Sequence, residues 1–185
     1  LSLRRQRQMC IRDRLTTMRV ILIPVFLLVL FLMDEPMNRY IATAIFIVAS
    51  LTDFLDGHIA RKYNLVSNFG KFMDPLADKL LVMSALVSMV AMEDLPAWVV
   101  IVILAREFAI TGFRTLAMEA NIVMAASWWG KIETTTQMIM LILVLLHLPF
   151  AAMPMIENIL VGLAVFFTIV SGVDYIVKNK QVLKG

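Results

Sequence analysis

Six apolar stretches, each near the length of a bilayer-spanning helix, take up most of this 185-residue chain. They run over 15–33, 40–55, 72–92, 97–117, 131–148 and 154–177, and polar or Pro-containing punctuation separates them, as in Asp34-Glu35-Pro36 and Glu93-Asp94-Leu95-Pro96. A helix needs roughly 20 mostly apolar residues to cross the hydrocarbon core. Hydrocarbon also offers a backbone no water to bond, which leaves helices as the economical solution. The sequence therefore predicts an all-α integral membrane protein: six transmembrane helices forming one domain over 15–178, then a polar cytoplasmic tail at 179–185. Composition agrees, with 61% hydrophobic residues and a mean hydropathy of +0.84, where a soluble domain sits near about 45–50% apolar.

Residues 1–14 read differently. Arg4, Arg5, Arg7, Arg12 and Arg14 against Asp13 give them +4, so the rest of a chain of net charge +3 carries −1. We set this segment apart as a non-native or disordered tail; the rival reading is a basic arm on anionic headgroups. The single cysteine, Cys10, excludes an intramolecular disulfide. His58 and His147, far apart and without cysteine neighbours, argue against zinc.

Each apolar stretch loses its hydrophobicity at one end. Arg19 opens the first. Asp53 and Asp56 close the second. Asp74, Asp78 and Lys79 open the third, and Arg106, Glu107 and Arg114 occupy the second half of the fourth. Lys131 and Glu133 open the fifth, while Asp174 and Lys178 close the sixth. Alternating the helices across a membrane brings all these ends to one side. Of 17 Lys and Arg residues, Arg39 alone falls in a loop on the other side. The positive-inside rule makes the charged face cytoplasmic, with both termini inside. Trp128 and Trp129 suit the aromatic belt at the interface.

Ionisable groups within membrane segments are costly and mark functional sites. Asp53 and Asp56 are three apart, Asp74 and Asp78 four apart, so on helices each pair shares a face. The connection from Gly57 to Gly70 would make the two helices neighbours and gather four carboxylates in one polar pocket. Four like charges there repel. One or two divalent cations relieve the repulsion, and all-oxygen ligands favour Mg2+ or Mn2+. Gly57 and Ala60 leave room for something bulky, Arg61 can grip a phosphate with two parallel bonds, and Ser67 and Gly70 lie in the connecting loop. Together these residues suit a metal-bound diphosphate, with carboxylate left over for proton transfer.

The whole string, D-x2-D-G-x2-A-R-x8-G-x3-D-x3-D from Asp53 to Asp78, resembles the signature of the CDP-alcohol phosphotransferase family at all eight fixed positions. The likeness extends over 15–178 and implies that family's six-helix fold with its active site at the cytoplasmic face. It implies transfer of a phosphatidyl group from a CDP-linked lipid to an alcohol, with loss of CMP. Position by position, Asp53, Asp56, Asp74 and Asp78 would ligate metal, expected as two ions, and Asp78 would also be the general base. Asp53, Gly57, Ala60, Arg61, Ser67 and Gly70 would hold the CDP group. Leu15-Thr16-Thr17-Met18-Arg19 fits a family pattern in which Thr16 and Arg19 give support, although the Asn/Pro-rich stretch that usually precedes it has no counterpart in 1–14.

Arg106, Arg114 and Lys131 add three cations at the same face and suit a phosphorylated acceptor. The segments AREFAITGFRTLAMEA and AASWWGKIETTTQM resemble bacterial family members that use sn-glycerol 3-phosphate. The implied partners are CDP-diacylglycerol, sn-glycerol 3-phosphate, membrane lipids and a second copy of the chain in a homodimer, with no nucleic acid, in a bacterial cytoplasmic membrane. The alternatives are an inositol-phosphate acceptor, a cardiolipin synthase, or, outside the family, a cation transporter with intramembrane carboxylates. A transporter would place its charges near the midplane on broken helices, a pattern this sequence lacks. As the expected base, Asp78 should be essential to turnover and not to donor binding: Asp78→Asn should abolish CMP release yet retain CDP-lipid binding, and normal CMP release would remove Asp78 from that role.

Overall fold

The computed structural model describes residues 18, 20–63, 68–119 and 127–180, with 53–63, 68–78, 118 and 119 described as backbone only. The regular elements of the described residues are six α-helices: α1 (Val20–Leu32), α2 (Met37–Tyr63), α3 (Asn68–Ala91), α4 (Ala97–Glu119), α5 (Trp128–Leu146) and α6 (Met153–Lys178). They divide between two compact units, Leu1–Ser88 and Met89–Gly185. The helices thus match the six apolar stretches one for one. By length and composition, α5 and α6 are long and apolar enough to cross a membrane. α4 is also long, but it carries Arg106, Glu107 and Arg114.

In the first unit, α1 buries Ile23, Phe26 and Leu30, and α2 buries Ala42, Phe46 and Ala49, each set at helical spacing along one stripe. Phe26 and Phe46 are fully buried, and their rings meet at 6.3 Å between centroids in a tilted arrangement. Such a pair contributes about 0.5–1.5 kcal/mol beyond its area. The turn between the helices is tied by polar groups. The last carbonyls of a helix lack partners within it; here the Asn38 side-chain amide donates to the Leu30 carbonyl at 2.9 Å, and the Met33 N–H to that of Val29 at 3.3 Å.

Two expectations are corrected in this unit. Arg39, read as a loop residue, lies in the first turn of α2. Its side chain is 10% exposed and pairs with Glu35 one turn earlier at 3.0 Å, so helix begins before the apolar pattern does. Gly57, Ala60 and Arg61, read as part of the connection, are helical positions of α2, and Gly70 lies in α3 rather than in the loop. The reason is physical. Hydropathy records where a helix stops being apolar, whereas the helix continues as long as its backbone bonds and residues such as Ala, Arg and Lys support it.

In the second unit, α6 packs against both α5 and α4, and most extensively against α5. Its residue distribution reverses that of a soluble helix. Large apolar side chains at Met155, Ile159, Leu163, Phe166, Ile169 and Val173 are exposed, while Ala164, Thr168, Ser171 and Tyr175 are buried. Small and polar groups at the helix contacts with bulky apolar ones outward is the arrangement of a helix in lipid.

Both α3 and α5 end without glycine. Glu93 has φ +63°; its N–H bonds the Val90 carbonyl at 3.1 Å and that of Asp94 bonds Met89 at 2.9 Å, the paired bonds of a Schellman cap. His147, φ 39°, closes α5 through its N–H to Leu143. A side chain in the left-handed region costs about 1 kcal/mol relative to glycine. Glu93→Gly should therefore raise the midpoint of thermal unfolding in detergent by a few degrees, and a lowered midpoint would show that the carboxylate contributes more than the backbone strain costs.

Candidate active site

The aspartates fall into two helical stripes. On α2, Asp53, Gly57 and Ala60 recur at four and three residues, with Asp56 and Arg61 flanking them. On α3, Gly70, Asp74 and Asp78 recur every four residues. At 3.6 residues per turn each set occupies one face of its helix. The spacing that suggested paired carboxylates is thus realised in the backbone. The side chains of Asp53, Asp56, Asp74, Asp78 and Arg61, and hence their convergence, lie outside the described residues, as do Thr16, Arg19 and Ser67 altogether.

The three cations proposed for the acceptor belong to the second unit. The second half of α4, the start of α5 and the end of α6 meet there at one end, and polar contacts mark the meeting. Arg114 Nε donates to the Tyr175 hydroxyl at 3.0 Å, and its guanidinium lies 5.7 Å from that ring's centroid, within cation–π range. Ser127 donates to Asp174, which also pairs with Lys178 at 2.9 Å. Lys131 is exposed, with its ammonium 5.6 Å from the Trp128 ring centroid. Trp129 stacks on Phe167 at 6.4 Å.

Arg106 sits deepest of the three. Its side chain is 14% exposed, and its two terminal nitrogens go to two carboxylates: Nη2 to Glu133 Oε2 at 2.7 Å and Nη1 to Glu107 Oε1 at 2.6 Å. Its buried Nε–H meets no acceptor among the described residues. Glu133 is fully buried. Gln137, one turn on, donates to Glu133 Oε1 at 2.8 Å and to the Thr168 hydroxyl of α6 at 3.1 Å. Arg106 also runs beside two glycines. A Cβ at Gly172 would lie 3.4 Å from its Cγ, and one at Gly130 would lie 3.6 Å from Nη2.

Sequence reading noted Glu133 as a charge at a helix end and missed Gln137, Thr168 and Tyr175. The available signal was polar spacing in an apolar helix: Glu133 and Gln137 are four apart, and hydrocarbon tolerates neither alone. Thr168 and Tyr175 carried no such signal. His147, noted in the sequence only as an argument against zinc, has a structural place at the other end of this unit, where it caps α5 and sets Nδ1 3.3 Å from Glu157.

Residues 9–170 match the family model described as CDP-alcohol phosphatidyltransferase. The CDP-diacylglycerol–glycerol-3-phosphate 3-phosphatidyltransferase of Bacillus subtilis is 44% identical over 185 aligned positions, covering 93% of this chain and 96% of that protein. The protein of the same name in Rickettsia bellii is 37% identical over 164 positions, 87% of this chain and 90% of its own length. That of Haemophilus influenzae is 42% identical over 132 positions, 69% and 70%.

The space around Arg106 is open to test. A methyl group at 3.4 Å is an ordinary contact, so Gly172→Ala should leave stability nearly unchanged. Gly172→Leu adds three carbons beyond a Cβ already 3.4 Å from the arginine stem and should cost about 1–3 kcal/mol, the usual size of overpacking, as a lowered unfolding midpoint in detergent. Equal midpoints for the two variants would show that the helices can separate there without cost.

Proposed function

The chain belongs to the CDP-alcohol phosphatidyltransferase family, and on that premise we propose that it is a phosphatidylglycerophosphate synthase, transferring the phosphatidyl group of CDP-diacylglycerol to sn-glycerol 3-phosphate with release of CMP. The observation that carries this reading is the near full-length match to bacterial relatives named for that reaction. The cationic end of the second unit, with Arg106, Arg114 and Lys131, is consistent with an acceptor bearing a phosphate.

In this reading Asp53, Asp56, Asp74 and Asp78 hold two Mg2+ or Mn2+ ions. The fit rests on the donor set, four carboxylates on two helix stripes, which supplies the oxygen ligands such ions take. Bound there, the ions supply charge neutralisation for the diphosphate. The protein's own part is alignment and proton transfer, since phosphoryl-type transfer needs little else. Gly57 and Ala60, without bulk on α2, leave room for the CDP group to approach the helix, and Arg61, Ser67 and Gly70 would help to hold it, as the family resemblance implies. The acceptor hydroxyl oxygen bonds to the phosphatidyl phosphorus as the bond to the CMP oxygen breaks. Asp78 takes the hydroxyl proton.

The same proposal places six helices across a bacterial cytoplasmic membrane, both termini and the charged ends on the cytoplasmic side, with the chain as a homodimer. Support for the orientation is the one-sided distribution of Lys and Arg; the homodimer is what the family resemblance implies. The lipid tails then remain in the bilayer while the headgroup reaches soluble acceptor.

Purified protein in detergent with CDP-diacylglycerol and Mg2+ should release CMP when sn-glycerol 3-phosphate is added, and chelation with EDTA should abolish the release. CMP release with inositol phosphate or phosphatidylglycerol in place of glycerol 3-phosphate would assign a different acceptor. Release unaffected by chelator would remove the metal from the reading.

A further inference from the structure

The second unit holds a buried acid with no part in the mechanism above. Glu133 is fully buried on α5, and its two oxygens are used differently. Oε2 faces Arg106 Nη2 at 2.7 Å. Oε1 accepts from Gln137 at 2.8 Å, and the same Gln137 amide donates to Thr168 on α6. Thus the carboxylate that meets the arginine of α4 is itself oriented by α5 and α6. A buried ion pair is a poor source of stability, because desolvation offsets most of the attraction. What it supplies here is a buried negative charge at a fixed place, an ion pair with Nη2 at 2.7 Å that lacks hydrogen-bond alignment, since Oε2 meets no hydrogen-bond donor among the described residues.

The other carboxylate on Arg106 differs in kind. Glu107 is the next residue in the chain, 28% exposed against 1% for the Glu133 side chain, and it takes Nη1 at 2.6 Å. One edge of the fork is therefore held by a sequestered acid, and the other by an acid that solvent and solutes can reach. A phosphate dianion competes for a guanidinium edge with the same geometry as a carboxylate and more charge. It can displace an accessible partner far more readily than a sequestered one.

We propose that Glu133 is the positioning residue of Arg106, its buried charge drawing Nη2 inward so that Nη1 stays directed outward, and that Glu107 is a placeholder on Nη1 that the acceptor's phosphate displaces. The inference rests on the reading of Arg106 as an acceptor-phosphate residue and adds how that residue is aimed and kept occupied between turnovers. It assigns opposite effects to two carboxylates on one arginine. Loss of Glu133 removes the aim; loss of Glu107 removes a competitor.

The test is steady-state CMP release by the intact protein in detergent with Mg2+, varying glycerol 3-phosphate and CDP-diacylglycerol separately. Glu133→Gln should raise the KM for glycerol 3-phosphate on the order of tenfold, the size of one charge-assisted hydrogen bond misplaced, with the KM for CDP-diacylglycerol unmoved. Glu107→Gln should lower the glycerol 3-phosphate KM. If Glu133→Gln fails to fold, Gln137→Met keeps the ion pair while releasing its orientation, and it should raise the same KM about threefold, a fraction of one hydrogen bond. A rise for both carboxylate variants, or a loss of kcat with both KM values unchanged, would overturn the division of roles. Arg106→Gln separates the two layers. If it leaves the glycerol 3-phosphate KM unchanged, the acceptor reading itself fails. If it raises that KM while neither Glu133→Gln nor Gln137→Met does, only the positioning role fails.

Discussion

A backbone surrounded by hydrocarbon can bond only to itself, and the rest of this architecture follows from that restriction. Helices absorb the backbone groups internally, so each apolar stretch becomes a helix. The restriction also removes the hydrophobic effect as a force between helices, because lipid tails are as apolar as leucine. Close packing and specific polar contacts must then hold neighbours together. α6 illustrates both: Ala164, Thr168 and Ser171 are buried while Phe166 and Val173 are exposed.

Polar groups in such an interior cannot stand alone, and the second unit shows how they are arranged. Arg106 meets Glu133 across α4 and α5, Gln137 reaches Thr168 across α5 and α6, and Arg114 meets Tyr175 across α4 and α6. Each pair of helices is therefore joined by at least one polar contact, and these contacts collect at one end. The same contacts bring Arg106 and Arg114 to that end together with the acids that pair with Arg106. Removing a partner from the deepest of these contacts would leave an uncompensated charge, at a cost of about 3–5 kcal/mol in buried pairs generally.

How legible the protein was depends on what kind of information each feature carries. Asp53, Asp56, Asp74 and Asp78 stood out because charge in an apolar segment is conspicuous and because their spacings match a helical turn. Arg106 and Arg114 were visible for the same reason. Tyr175 and Thr168 were not, since neither is unusual in a membrane helix, and their roles come from which helix lies opposite. Helix ends were misread where polarity and helicity part company, at Arg39 before the apolar run of α2 and at Arg61 beyond it.

Sequence alone determined the helix count, the segregation of charge to one end of each apolar stretch, and the two aspartate pairs at helical spacing. These are local or periodic properties, set by the side chains of one segment and the solvent around it. Tertiary structure alone decided which acid holds which arginine. Glu107 and Glu133 are both glutamates near Arg106 in function, yet only packing of α5 and α6 makes one sequestered and leaves the other within reach of solvent. Burial depends on what lies across the interface, and no residue's own segment encodes that.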